Sequence, residues 1–282
     1  MKRRPFLIGL ATVAASQLPT VYATATQPKR MTVTNSRELF QAIGSDREIY
    51  LEPGLYDLGA LHTEPDLRSP HIRFQKVFDG MEAVIYDVKN LTLVGAKDLR
   101  SKLYARPRYA DVLPIQKGKN VQIQSLELGH WPDQGSCTGD VIQLSDCDRI
   151  EIDSSALFGS GTYGISATNT STVRCQNTKI HDCTYGILNL RQCVDLQFKQ
   201  CQLVDNREFS GVTATNVRRL SFKDCKFSNN AFKYEFFNIQ GNDPIQVKNC
   251  QFFNNSSSGL VNNIDLLQLD RTEFRGNSFP EP

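Results

Sequence analysis

The sequence predicts an all-β chain, a right-handed parallel β-helix solenoid with a short N-terminal cap helix, and three observations carry that expectation. First, "LQFKQCQLVDN" from Leu196 returns as "LSFKDCKFSNN" from Leu220 and "IQVKNCQFFNN" from Ile245, with apolar residues at places one, three and eight, Cys at six and Asn at eleven. Second, looser copies begin at Leu91, Val121, Ile150, Val173 and Leu267, so the eight starts are separated by 30, 29, 23, 23, 24, 25 and 22 residues. A period in the twenties is the mark of a repeat architecture. Third, the apolar spacing of two is strand alternation, the jump of three between places three and six marks a bend, and no segment sustains a helical period.

The chain opens with an export segment over residues 1–25. "MKRRPFLIGLATVAASQLPTVYATA" has a basic start, an apolar run from Phe6 to Ala15 and small residues suited to cleavage at Ala23 or Ala25. "RRPFL" also has twin-arginine character, but Lys2 stands where Ser or Thr usually precedes the pair, so the ordinary secretory and twin-arginine readings both stay open. Either places the mature protein outside the cytoplasm, periplasmic or secreted. No later segment is apolar for long enough to span a membrane.

Residues 26–48 form the expected cap region and 49–282 the β-helix. Asn35 followed by Glu38 is a capping-box-like helix start, and Leu39, Phe40 and Ile43 then share one face. Such a helix covers the open apolar end of a solenoid. Each coil then reads strand, bend, strand, Asn turn, strand. "YGI" at Tyr163 and Tyr185 aligns with "SGV" at Ser210 and "SGL" at Ser258 as the third strand. Like strands of successive coils stack about 4.8 Å apart. Cys201, Cys225 and Cys250 then form an inward row with Ser155, Thr178 and Thr272, in which cysteine acts as a small hydrophobe. Asn206, Asn230, Asn255 and Asn277 form a row of stackable amides. A straight cysteine row offers a metal one direction only, so no metal site is expected from it.

These repeats resemble the right-handed β-helix repeat of the pectin-lyase-like superfamily, from about Ile49 to Phe279 and most clearly from Val121 onward. The resemblance implies an exported, carbohydrate-associated protein, since that group holds polysaccharide lyases, hydrolases, epimerases and surface adhesins. It transfers no catalytic set. "GHW" at Gly129 stands where polygalacturonase-like hydrolases have Gly-His-Gly, and their other motifs and the pectate-lyase signature are missing.

Site candidates come from the two longest coils, whose extra residues are expected after Leu93 and after Leu128, side by side on one edge. Long loops on a regular scaffold are where function collects. "GAKDLRSKLYARPRYAD" brings Tyr104, Arg106, Arg108 and Tyr109; "GHWPDQGSCTGD" brings His130, Trp131 and Asp133. Asp111 and Asp140 hold equivalent places on adjacent coils, with Tyr163 and Tyr185 continuing that row. Stacked carboxylates repel, which raises one pKa unless a cation intervenes.

One reading is a lyase or epimerase acting on an acidic polysaccharide or oligosaccharide. In it Arg106 or Arg108 neutralises a uronate, His130 or Asp140 removes the acidified proton, and a tyrosine protonates the leaving oxygen. Tyr104, Tyr109, Asp111, Trp131, Asp133, Tyr163 and Tyr185 would line the sugar groove. The other reading is a noncatalytic β-helix that binds glycan or a partner protein, with the aspartates as turn residues and the tyrosines as a stacked ladder. No cofactor is implied, although the acidic pair is compatible with calcium. The net charge of +2 calls for no nucleic-acid partner. Lys199, Lys223 and Lys248 would stack on an outer face, either as a solvated stripe flanked by Asp153 and Asp270 or as a seat for an acidic polymer.

Overall fold

The computed structural model describes residues 27–131, 138–159, 162–241 and 243–279. The export segment, Asp133, Cys137 and the prolines at 280 and 282 lie outside the described residues. Among the described residues three long sheets run along one solenoid, beside a two-stranded sheet of Arg207–Glu208 and Ala231–Phe232. Sheet A has ten strands, from Lys29–Val33 to Leu267–Asp270, sheet B nine, from Gly54–Tyr56 to Glu273–Arg275, and sheet C eight, from Ile72–Val77 to Phe237–Gln240. Each full coil passes from A to B to C.

The repeat read from the sequence is the register of sheet A. Leu91 faces Val121, Val121 faces Ile150, Ile150 faces Val173, Val173 faces Leu196 and Leu196 faces Leu220. Phe222 faces Val247, which sets Leu220 level with Ile245, and Ile245 faces Leu267. The jump of three also has a physical cause. Ser125, Ser154, Asn177, Gln200, Asp224, Asn249 and Arg271 each take a left-handed backbone with φ of 49 to 55°. One such residue turns the corner from A to B, so places three and six both point inward.

The rows behave as their chemistry dictates. The thiols of Cys201, Cys225 and Cys250 are buried and donate to the carbonyls of Lys199, Lys223 and Lys248 at 3.3–3.4 Å. Ser155 and Thr178 in the same row donate likewise, two residues back, at 2.9 and 2.8 Å. Cys147, Thr170 and Cys193 repeat this arrangement at the corner from C to A. The seven described cysteines are free and buried. At the corner from B to C each ladder asparagine accepts through Oδ1 and donates through Nδ2 along the axis, from Cys183 N–H through Asn206, Asn230 and Asn255 to Asn277. Inside, Phe198 stacks on Phe222 at 5.1 Å and Phe227 on Phe252 at 4.4 Å.

The cap is a helix, Ser36–Ala42, whose N-cap Asn35 accepts from Glu38 N–H, while the Glu38 carboxylate returns to Thr34 N–H at 2.7 Å. Leu39, Phe40 and Ile43 are buried under it. Sheet A starts before the helix, with Lys29–Val33 paired to Arg47–Leu51. No helix among the described residues is long and apolar enough to cross a membrane.

Two features depart from the expectation. Ile72–Val77 and Gly80–Tyr86 form an antiparallel hairpin, the one antiparallel pairing among the described residues, and it closes the N-terminal edge of sheet C. The two enlarged coils also do not spend their extra residues in the same place. Leu103 faces Leu128, so twelve residues lead from Leu91 to Leu103 where seven lead from Val121 to Leu128. The first coil's excess therefore sits mainly at the A–B corner, over 96–100, and the second coil's at the B–C corner. Total coil length carries no information about which corner is enlarged.

Candidate functional site

The B–C corner of the N-terminal coils is built from stacked turns. The Arg108 carbonyl accepts from Thr138 and Gly139 N–H at 2.9 and 3.0 Å. A Cβ on Gly139 would lie 1.9 Å from the Ala110 carbonyl oxygen, so the two turns touch backbone to backbone. From below, the Asp79 carboxylate at the hairpin tip accepts from Arg108 N–H at 2.6 Å and Tyr109 N–H at 3.1 Å. Arg106 Nε lies 3.3 Å from Asp57 Oδ2.

Just past this corner three carboxylates form a column along the axis. Glu82 accepts from Asp111 N–H at 2.9 Å, Asp111 from Asp140 N–H at 2.7 Å, and Asp140 from Tyr163 N–H at 3.0 Å and from the Thr162 hydroxyl. Burial, then the neighbouring carboxylates of Asp140 and Glu82, push the Asp111 carboxyl up to about 8. Burial raises Asp140 and Glu82 as well. Asp111 thus holds a proton at neutral pH beside acids that compete for it. Among the described residues no three His, Cys, Asp or Glu side chains converge as a metal site, and the column is a row rather than a cage.

Aromatic side chains flank the corner in three groups. Tyr104 stacks on half-exposed Trp131 at 5.8 Å, meets Phe158 edge-on at 5.6 Å, and donates from its hydroxyl to Glu127 at 2.5 Å. Gly129, level with both Tyr104 and Phe158, leaves the space that the Phe158 ring fills. Phe78 and Tyr109, both exposed, lie 5.0 Å apart at the hairpin tip. Farther along, Tyr185 meets Phe209 edge-on at 4.7 Å and Phe209 stacks on Tyr234 at 6.1 Å. Phe209 and Tyr234 are 37% and 53% exposed, enough to offer a ring face to a ligand.

The structure gathers some of the predicted residues and separates others. Asp111, Asp140 and Tyr163 adjoin one another. Tyr185 does not continue their row: Tyr163 faces Gly186, which has φ of 141°, because the true step is 23 residues while the two "YGI" motifs are 22 apart. His130 is fully buried, with Nε2 2.7 Å from the Ala110 carbonyl, and burial lowers its pKa. It fastens one turn to the other and has no face for a substrate, which corrects its expected role as base. Arg106 is engaged with Asp57 rather than held over Asp111 or Asp140. Tyr104 and Trp131 belong to the outer face of sheet B. The expected single cleft is therefore a set of separate patches, and hollows in the described surface lie on sheets A and B and beside the cap.

Sequence reasoning missed Phe209 and Tyr234, although the signal was present. From Tyr185 the steps are 24 and 25, the same as from Leu196 to Leu220 to Ile245. Glu82, Asp57 and Asp79 precede the first clear coil, where no period points to them.

A model of the right handed beta helix region family matches residues 118–279. Among solved structures the chain is similar to an alginate lyase from Paenibacillus sp., at 8% identity over 89% of this chain and 99% of that one, with a TM-score of 0.44. It is similar to PfbA, a surface adhesin of Streptococcus pneumoniae, at 10% identity over 82% and 71%, with a TM-score of 0.38. It is also similar to the catalytic domain of a GH87 alpha-1,3-glucanase, at 11% identity over 93% and 60%, with a TM-score of 0.36. No curated protein sequence matches the chain.

Proposed function

The chain belongs to the right-handed β-helix family, and from that premise we propose that it is an exported protein that binds a linear polysaccharide along the B–C corner and the adjoining outer face of sheet C. The carrying observation is the row Tyr185, Phe209, Tyr234, one aromatic ring on each of three successive coils. Rings repeated along the axis suit an extended chain of sugars, each presenting an apolar face. Beside them the outer row of sheet C runs Asn189, Thr213 and Asn238, whose hydroxyl and amide groups match sugar hydroxyls. Tyr163 joins the two surfaces, its ring lying across Gly186.

Glycan-array screening followed by calorimetry tests this reading. Phe209→Ala with Tyr234→Ala should weaken binding by roughly 5- to 30-fold, from about 1–2 kcal/mol of lost stacking, at an unchanged melting temperature. No glycan bound by the wild-type chain, or equal binding by the double variant, counts against it.

One observation favours a catalytic version, the lyase or epimerase acting on an acidic glycan. The Asp111 carboxyl, held up to about 8, is a proton donor at neutral pH. With His130 enclosed, that reading passes to Asp111, Asp140 and Tyr163, with Arg106 and Arg108 at the same corner. Elimination on a uronide creates an unsaturated bond that absorbs in the ultraviolet. An increase that Asp111→Asn abolishes supports the lyase, and no increase with alginate, pectate or glycosaminoglycans removes it; an epimerase leaves no such bond and is read instead by exchange of the sugar C5 proton with solvent deuterium.

A further inference from the structure

The outer face of sheet A carries a charge pattern that the B–C corner does not use. Lys199 faces Lys223 and Lys223 faces Lys248, so three ammonium groups stand in register on three successive strands. All three are exposed. In the same row the earlier coils carry Gln124, Asp153 and Gln176, so the scaffold accepts neutral or acidic residues there. Three lysines at strand spacing, about 4.8 Å, repel one another along their whole length. The protein relieves this at one end only, where Lys248 lies 3.1 Å from Asp270. Among the described residues Lys199 and Lys223 have no carboxylate in ion-pair reach, and exposed Arg218 and Arg219, on the strand of Lys223, add positive charge without one. The next outer row holds Gln197, Ser221, Gln246 and Gln268, and Gln246, Lys248 and Gln268 line a shallow hollow.

We infer that the Lys199–Lys223–Lys248 row is a binding strip for a linear anionic polysaccharide with one carboxylate per sugar, lying parallel to the solenoid axis. The match is one of period and sign. An extended sugar advances by a distance comparable to one coil, so successive carboxylates meet successive lysines, while the glutamine row beside them meets hydroxyls. A nucleic-acid duplex, whose strands each present a phosphate about every 3.4 Å along the helix axis, falls out of step with this row. The site stands apart from the one proposed at the B–C corner, because it lies on a different sheet.

The experiment uses the full mature chain with polygalacturonate and alginate as probes, uncharged dextran as control, and duplex DNA as competitor, over a series of salt concentrations. The wild-type chain should bind the polyuronates, with affinity falling steeply as salt rises, and leave dextran unbound at this face. Lys199→Gln, Lys223→Gln and Lys248→Gln combined should weaken polyuronate binding at least 30-fold and flatten the salt dependence, at an unchanged melting temperature. The single charge reversal Lys223→Glu should lower affinity further than Lys223→Gln does. The Phe209→Ala, Tyr234→Ala variant should keep both the polyuronate affinity and its salt slope, which separates this strip from the corner site. Polyuronate binding that survives the triple substitution, or that is lost with the aromatic pair instead, overturns the inference. So does duplex DNA binding more tightly than polyuronate through the same lysines.

Discussion

Replacing Asn230 by alanine should be among the costliest single truncations in the solenoid, and the structure allows the cost to be counted. Asn230 is 1% exposed and its amide makes four hydrogen bonds. Oδ1 accepts from the backbone and the side chain of Asn206, both at 3.0 Å; Nδ2 donates to the Leu203 carbonyl and to Asn255 Oδ1, both at 2.8 Å. Truncation does not strand all of these partners. Asn206 Nδ2 keeps the Ile180 carbonyl at 3.1 Å, and Asn255 Oδ1 keeps Asn230 N–H at 3.1 Å. The damage falls on one buried backbone donor, Asn206 N–H, while the Leu203 carbonyl loses one bond and keeps its place in the sheet B ladder. At about 1–3 kcal/mol for the stranded N–H and about 0.5–1.5 kcal/mol for the bond the carbonyl loses, Asn230→Ala should cost about 1.5–4.5 kcal/mol. Asn277→Ala, at the partly exposed end of the same ladder, is the internal control, since water can replace its amide there. Guanidinium unfolding followed by far-ultraviolet circular dichroism gives both values from midpoint shifts at constant slope. If Asn230→Ala loses no more than Asn277→Ala, the ladder is a consequence of the fold and not a source of its stability.

Other outcomes follow from the same geometry. Asp111 has a folded pKa raised to about 8 against roughly 3.9 unfolded, so its protonated form favours the folded chain. That stability is complete below about pH 4 and is lost as pH rises toward 8, and unfolding measured across this window should show Asp111→Asn with the shallower decline. Cys201→Ser should change stability by no more than about 1 kcal/mol in the same assay, because Ser155 in that row already hydrogen-bonds two residues back at 2.9 Å; a larger loss would mean that the 3.8 Å contact between the Cys201 and Cys175 sulfurs matters more than the bend. Gly129→Ala should cost about 1–3 kcal/mol and alter the near-ultraviolet signal of Trp131, since the new methyl would sit 2.5 Å from the Phe158 ring; an unchanged spectrum would contradict the packed Tyr104–Phe158 arrangement.

The solenoid was legible because repetition makes each coil evidence for the next. The starts from Leu91 to Leu267 are the register of sheet A, and the asparagine row is the ladder it was expected to be. What failed were inferences from single residues. His130 reads as a base in sequence, but only burial and the Ala110 carbonyl show that it fastens two turns together. Arg106 reads as a substrate contact, but its partner Asp57 comes from a strand end that precedes the repeat. The hairpin at Ile72–Val77 carries no period and so gave no warning, although Asp79 at its tip holds the backbone of Arg108 and Tyr109. Tyr185 was misplaced by one residue because a motif match, "YGI" on "YGI", outweighed the 23-residue step.

In a fold of rows, function is read where a row departs from what packing asks of it, and two like-charged rows make the contrast. The Glu82–Asp111–Asp140 column sits partly buried, and the protein neutralises it from within: each carboxylate takes a backbone N–H from the next coil, and Asp111 retains a proton at neutral pH. A column so relieved contributes most to the fold at acidic pH, and less as pH rises toward 8, whether or not it also moves protons. The Lys199–Lys223–Lys248 row receives no such relief beyond Asp270 at one end, and its groups stand in water. Its repulsion persists in the folded chain, modest because solvent screens it, and packing gives no reason for it when glutamine holds the same row in earlier coils. The acidic column therefore explains itself structurally and needs an activity assay to become a site. The lysine row has no structural explanation and already has the shape of one.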